Sequence, residues 1–391
     1  MAYRRFLISP SDSFFLFGPR GVGKSTWLKK AQKWELTVDL LQSKQYLEFL
    51  KKPSLLRDLT MGLKKNDWIW IDEVQKVPAL LDEVHSLIES HQFRFALSGS
   101  SARKLKRQGA NLLAGRAITR RMEPLTCFEL GQDFDFPQIL QFGSLPLVIN
   151  KPNLRKDILK SYVTTYLKEE IQEEGHVRKI EPFVRFLEVA ALMNGQVTNL
   201  SHLASEAGVP RPSVDGYFSI LTDTLVGHWL PAFRPRAKVR EKSHAKFYWF
   251  DPGVARAAAG LLDEHADREW LGRSLETMIF HELRCYNDKI NALREIFYYS
   301  TPSGLEIDFV VQLRKANLSR KASVILIEVK LSPTWDTRWE KPMRDIQSSG
   351  SVHVEGMFGL YTGQRILHRD GIKIMPITEF LKELYKGVLY T

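Results

Sequence analysis

Apolar residues along the chain follow two spacings, and where one gives way to the other marks the elements. In the first third, short apolar runs alternate with amphipathic stretches. Ser13-Phe14-Phe15-Leu16-Phe17, Trp68-Ile69-Trp70-Ile71 and Phe93-Arg94-Phe95-Ala96-Leu97 are rich in aromatic or branched residues and bounded by polar segments. That is the pattern of parallel strands buried on both faces. Between them Lys24 to Lys33, Leu41 to Leu50 and Pro78 to Ser90 carry apolar residues three and four apart, which predicts helices and a βαβ-type α/β domain over residues 1–132.

Residues 133–194 turn helical: Asp157 to Ile171 and Pro182 to Met193 each have an apolar face, predicting a helical lid. Over residues 195–252 a short helical stretch stops at Gly208 and another begins near Arg211, the cadence of a helix-turn-helix. A basic run follows, Arg234, Arg236, Lys238, Arg240, Lys242 and Lys246, opposed only by Glu241 and ending in the strand-like Lys246-Phe247-Tyr248-Trp249-Phe250. Together these predict a winged helix with a basic wing, in which Arg211 opens the recognition helix and Arg234, Arg236, Lys238 and Arg240 follow a phosphate backbone. Residues 253–391 begin with a helix near Leu271 to Tyr286 and continue as strands at Glu295–Ser300, Leu305–Gln312 and Ala322–Lys330. The expected fold class is therefore a multidomain α/β protein.

Composition narrows the setting. At 391 residues the chain exceeds what one core organises, and 44% hydrophobic with 26% charged residues is ordinary for globular domains. Its two cysteines, Cys127 and Cys285, are too few and too far apart for a disulfide framework, which fits a reducing, cytoplasmic compartment. No run of roughly 18 apolar residues occurs and the opening MAYRRFLISPSD is no signal peptide, so neither membrane nor secretion is expected. Fifty-six Lys+Arg against 45 Asp+Glu give +11, which suits a polyanionic partner such as DNA and equally suits plain solubility.

Gly18-Pro19-Arg20-Gly21-Val22-Gly23-Lys24-Ser25, followed by Thr26, lies between a predicted strand and a predicted helix, where a P-loop must lie. Backbone N–H groups of such a loop wrap a phosphate, Lys24 reaches the β- and γ-phosphates of ATP, and Ser25 ligates Mg2+. The apolar strand Trp68–Ile71 ends in Asp72-Glu73, one carboxylate for the Mg2+ shell and one to polarise the attacking water. Beside a P-loop that assignment outweighs the alternative that two acids merely cap a helix. Phe95-Ala-Leu-Ser98-Gly99-Ser100 ends another strand in hydroxyls, of which Ser100 is favoured over Ser98 for sensing the γ-phosphate. From Ser101 to Arg121 there are seven cations and no acid, among them Arg116, placed to reach a neighbouring subunit's nucleotide.

Phe17-Gly-Pro-Arg-Gly-Val-Gly-Lys-Ser-Thr, Trp70-Ile-Asp-Glu-Val-Gln75, Leu97-Ser-Gly-Ser-Ser101, Leu113-Ala-Gly-Arg-Ala117 and Pro124-Leu-Thr-Cys-Phe-Glu129 together resemble, in order and spacing, a family of prokaryotic AAA+-superfamily ATPases. The C-terminal half of that family was long called a domain of unknown function. The resemblance implies an AAA+ core, ATP hydrolysis and assembly into a ring, with a hexamer expected. Glu169-Glu170 depart from it, standing where relatives often carry an Arg-Asp pair.

In the last domain, Gly304-Leu-Glu306-Ile-Asp308 is followed by Ile325-Leu-Ile-Glu328-Val-Lys330. Period two puts Glu328 and Lys330 on one strand face. An Asp and a Glu converging on Mg2+ or Mn2+, with a lysine to orient water and Glu276 assisting from the preceding helix, suit phosphodiester hydrolysis. The order resembles the PD-(D/E)XK, or restriction-endonuclease-like, fold. His281-Glu282, His85 and His91 offer no competing metal site. The expectation is a DNA-directed AAA+ ATPase with a metal-dependent nuclease-like domain, in repair, recombination or defence; the alternatives are a non-cutting ATP-gated DNA-binding regulator and an ATPase that senses protein partners.

Overall fold

Five strands, β1 (Phe14–Phe17), β2 (Leu36–Asp39), β3 (Trp68–Asp72), β4 (Arg94–Gly99) and β5 (Ile118–Arg121), pair in parallel in the order β2-β3-β4-β1-β5. The computed structural model describes residues 3–101, 105, 113–167, 180–234, 244–292, 294–301 and 304–390. Central β1 is apolar throughout because a parallel strand inside such a sheet is covered on both faces. Period two divides its side chains between two cores. Phe14 and Leu16, with Trp70 and Ala96, belong to a core shared with Tyr162, Phe183 and Phe186. Phe15 and Phe17, with Ile69, Ile71 and Phe95, share the opposite core with Phe49, Leu80 and Val84.

The helical spacing over residues 133–194 predicts one lid, but the structure divides it. Ile139 and Leu140, from the helix Phe136–Phe142, are buried in the core of the C-terminal domain. Val148, Leu159, Phe183 and Phe186 instead cover the parallel sheet. Amphipathicity reports that a face is buried and not what it is buried against. The helix Arg155–Ser161 continues as a π-turn, Tyr162–Leu167; the predicted end of this helix, with Glu169-Glu170, lies outside the described residues.

Around Gly208 two helices, Leu200–Glu206 and Arg211–Asp223, meet as the pattern predicts, the first capped by the Asn199 side chain. An antiparallel ribbon of β6 (Gly227–Leu230) and β7 (Lys246–Trp249) follows, with the Phe218 ring centred 4.7 Å from both Trp229, tilted, and Phe247, edge-on. The chain leaving β6 runs on to the next domain: Ala232 bridges Tyr298, whose carbonyl accepts from Phe233 N at 2.6 Å. Arg236, Lys238 and Arg240 lie outside the described residues, as do Arg103, Lys104, Lys106 and Arg107.

The last domain is a six-stranded mixed sheet in the order β12-β13-β11-β10-β9-β8. Its strands are β8 (Glu295–Ser300), β9 (Glu306–Arg314), β10 (Ser323–Lys330), β11 (His353–Tyr361), β12 (Leu367–Arg369) and β13 (Ile372–Pro376). The helices Arg268–Lys289 and Ile377–Lys386 cover one face. Among the described residues no helix is long and apolar enough to cross a membrane.

A single buried carboxylate fastens the segment after residue 142 to the helix Pro252–Ala258. Asp251, fully buried, accepts from Ser144 N at 2.7 Å and from Val254 N at 3.0 Å. Gly143 takes φ +72°, and a Cβ there would lie 1.9 Å from Asp251 Oδ1. Left-handed strain and displacement of a bonded buried carboxylate together make Gly143→Ala cost about 3 kcal/mol. A urea unfolding midpoint equal to that of the wild type would show that this joint does not contribute to stability.

Candidate functional site

Because β3, β4 and β1 are neighbours and parallel, their C-terminal ends meet at one rim, where open α/β sheets bind ligands. The loop from Gly18 to Gly23 leaves β1 there and enters the helix Lys24–Ala31 through Gly23, whose φ of 97° disfavours any residue with a Cβ. Pro19 and Val22 are buried, Arg20 is half-buried with its guanidinium over the Tyr166 ring, and Gly21 and Thr26 are exposed. Lys24 Nζ folds over its own loop, donating to Gly18 O at 2.6 Å and Pro19 O at 3.1 Å. Tyr162 closes onto the same loop, its hydroxyl donating to Arg20 O at 3.1 Å.

Asp72 is the centre of this rim. Ser25 Oγ donates to its Oδ2 at 2.9 Å and Ser98 Oγ to its Oδ1 at 2.5 Å, while Trp70 Nε1 donates to Ser98 Oγ at 2.8 Å. Hydroxyl and carboxylate oxygens this close suit a hard cation such as Mg2+, which takes one or two protein oxygens and completes its shell with phosphate and water. The neighbouring Glu73 takes φ 57° and ψ 43°, a left-handed conformation that costs a non-glycine residue about 1–2 kcal/mol. The two serines divide: Ser98 serves Asp72, whereas Ser100 accepts from Gln75 Nε2 at 3.2 Å. The same Nε2 donates to Glu73 Oε2 at 2.5 Å. The functional assignments from sequence give Gln75 no role, although it closes the Trp70–Gln75 segment that carries the family resemblance. Arg116 is exposed and pairs with Glu89, holding that carboxyl below its usual range; among the described residues it makes no hydrogen bond to the loop.

In the C-terminal domain the structure brings Glu276, Asp308, Glu328 and Lys330 together and adds Glu306, Lys246 and Tyr248, to which the sequence reading gave no role in this site. Lys330 Nζ pairs with Glu328 Oε1 and lies 3.5 Å from Asp308 Oδ2, which also accepts from Val329 N at 2.7 Å. Lys246 corrects an expectation. Placed in the exposed basic wing by sequence, it is 4% exposed and turned inward, pairing with Glu306 and lying 3.7 Å from Glu276. Tyr248 OH donates to Glu276 Oε2 at 2.7 Å. Glu306 was legible from period two with Asp308; Lys246 and Tyr248 come from a strand some 60 residues earlier and were not.

Two ammonium groups, Lys246 and Lys330, thus lie among these carboxylates. Among the described residues no group of three or more His, Cys, Asp or Glu side chains is placed to hold a metal ion. Burial pulls the Lys246 ammonium down, yet Glu276, Glu306 and Asp308 together hold it above the usual lysine value, and Lys330 behaves likewise with Asp308 and Glu328. A cavity of about 240 Å3, lined in part by Arg268, Glu276, Lys330, Ser332 and Trp339, opens beside the cluster. Of the predicted DNA-contacting residues, Arg211 begins its helix and pairs with Asp215 at 2.5 Å, and Arg234 is exposed just beyond the ribbon.

Comparison with known proteins divides the chain into three. An AAA domain model matches residues 11–131. The chain carries an AAA-type P-loop ATPase domain. Beyond this domain, a domain of unknown function (DUF8612) matches residues 133–265 and another (DUF4143) matches residues 271–380. An uncharacterised protein of Methanocaldococcus jannaschii is 23% identical over 336 residues, covering 77% of this chain and 72% of that protein. One from Haemophilus influenzae is 22% identical over 354 residues, covering 84% and 80%. Among solved structures, the Aeropyrum pernix ORC1 protein in complex with DNA matches 64% of this chain and 86% of its own at 13% identity, with a TM-score of 0.26.

Burial, then the Asp308 carboxylate, push Glu276 from its ordinary 4.5 up to about 7, against the pull of Lys246. Between those values the native state holds a proton that the unfolded chain has released, so this contribution to stability is complete below pH 4.5 and lost as pH rises through 7. Glu276→Gln should therefore shrink the difference in urea midpoint between acidic and mildly alkaline buffer. A difference as large as in the wild type would place Glu276 in a solvated, ordinary setting.

Proposed function

We propose that this chain is a Mg2+-dependent ATP hydrolase of the AAA type that works on DNA as a ring. The observation that carries the ATPase reading is the meeting of Ser25, Asp72 and Ser98 at the rim beside Lys24. With nucleotide bound, Lys24 would exchange its carbonyl partners for the β- and γ-phosphates, and Ser25 and Asp72 would hold Mg2+, whose charge would offset that of the phosphates. Glu73 polarises the attacking water, Ser100 contacts the γ-phosphate side, and exposed Arg116 reaches the nucleotide of a neighbouring subunit. DNA is supported by the helix pair at Gly208 with its antiparallel ribbon and by the net charge of +11. The carboxylate–lysine cluster acts as a charge-compensated joint between the ribbon and the C-terminal sheet, and no cleavage step is assigned to it.

Lys24→Ala should lose ATP binding, whereas Glu73→Gln should bind ATP and hydrolyse it at least about 100-fold more slowly. Wild-type turnover by Glu73→Gln would remove Glu73 as the base. On DNA, log affinity should fall linearly with log salt, and Arg211→Ala with Arg234→Ala should flatten that slope by about 1 to 2 units. An unchanged slope would move the DNA surface elsewhere, and no salt-dependent DNA binding at all would favour a protein partner. Duplex, forked and four-way DNA should survive incubation with Mg2+ or Mn2+. Cleavage that Asp308→Asn abolishes would reinstate the nuclease.

A further inference from the structure

Gln75 lies in the turn Val74–Lys76 directly after Glu73, is 6% exposed, and uses one amide nitrogen for two partners on different elements. Nε2 donates to Glu73 Oε2 at 2.5 Å, just past β3, and to Ser100 Oγ at 3.2 Å, just past β4. The amide is seated tightly: a Cβ on Gly99 would come within 2.2 Å of Gln75 Oε1, so only glycine leaves room for it. Oε1 is buried and meets no hydrogen-bond donor among the described residues. A buried amide that leaves its acceptor unmet while its donor spans two polar groups is held by that donor, because an unsatisfied buried acceptor is costly unless other contacts fix the side chain. Glu73 is held in a left-handed backbone conformation, and its carboxylate direction is set by what grips it at the far end.

We propose that Gln75 is a positioning residue for ATP hydrolysis, its amide tying the Glu73 carboxylate to the Ser100 hydroxyl so that the base and the phosphate-facing end of β4 move as one unit. The proposal rests on the ATPase reading above, with Glu73 as base. Gln75 touches neither nucleotide nor water in this role. It acts by fixing where Glu73 points. A base misplaced by about 1 Å can lose a hundredfold in rate while leaving substrate affinity alone.

The test compares full-length wild type, Gln75→Met and Ser100→Ala, together with the double variant, in ATP turnover and in equilibrium ATP binding. Methionine preserves length and volume and removes the donor. Gln75→Met should lower kcat by about 10- to 100-fold with ATP affinity within about twofold of wild type. Ser100→Ala should cost less in the Gln75→Met background than alone, because the shared link is already cut. Wild-type kcat in Gln75→Met would overturn the proposal. So would a loss of turnover matched by an equal loss of ATP binding, which marks a merely structural side chain. If wild-type protein binds ATP no better than Lys24→Ala, the ATPase reading itself fails and this proposal falls with it. A wild type that turns over ATP while Gln75→Met behaves normally sinks the proposal alone.

Discussion

The Asp72 carboxylate, held by a hydroxyl on each side, is the interaction on which the arrangement of the first domain depends. Ser25 comes from the helix after β1 and Ser98 from β4, so the two bonds exist only if β4 lies between β3 and β1 with all three running the same way. A carboxylate that accepts two hydroxyls in a nearly closed rim is directed as well as stabilised. The Trp70 indole supports this from below by fixing Ser98, which couples the polar rim to the apolar core under it.

Around that rim the chain repeatedly leaves one body and enters another. Cys127 follows β5, yet its N–H donates at 2.8 Å to Glu282, in the long helix of the last domain, and Tyr385 OH donates to the same carboxylate at 2.5 Å. Burial pushes Glu282 up to about 7, the consequence of placing an acid among apolar neighbours. Asp251 performs a comparable task between Ser144 and Val254, and burial raises it to about 6. Lys246 joins the ribbon to the C-terminal sheet through Glu276 and Glu306. Buried pairs of this kind add little net stability over apolar packing, but breaking one partner leaves a charge without compensation. Their value lies in fixing geometry between segments far apart in the chain.

The C-terminal motif is met by more charge than its own residues carry. Asp, Glu and Lys at those spacings suit a metal-dependent phosphodiesterase, and the strands do bring Asp308, Glu328 and Lys330 together. What the motif omits is Lys246, a second cation arriving from another domain, and the degree to which Lys330 itself satisfies both carboxylates. Site chemistry follows from the whole set of charges, since a cation already present lowers the need for another.

Local spacing determined much of this protein. The unbroken apolar run of β1, the glycines of the loop after it and the acids closing β3 each obey constraints that act within a few residues, and so the P-loop rim was legible as a motif on a parallel sheet. The helix pair at Gly208 was legible for the same reason. Tertiary structure alone decided which serine serves Asp72, that Gln75 spans Glu73 and Ser100, that Ile139 and Leu140 pack away from the rest of their helical segment, and that Lys246 turns inward. Period and motif specify a side chain's face and chemical type; its partner depends on which distant element packs there, and that is settled by the summed burial of the whole chain.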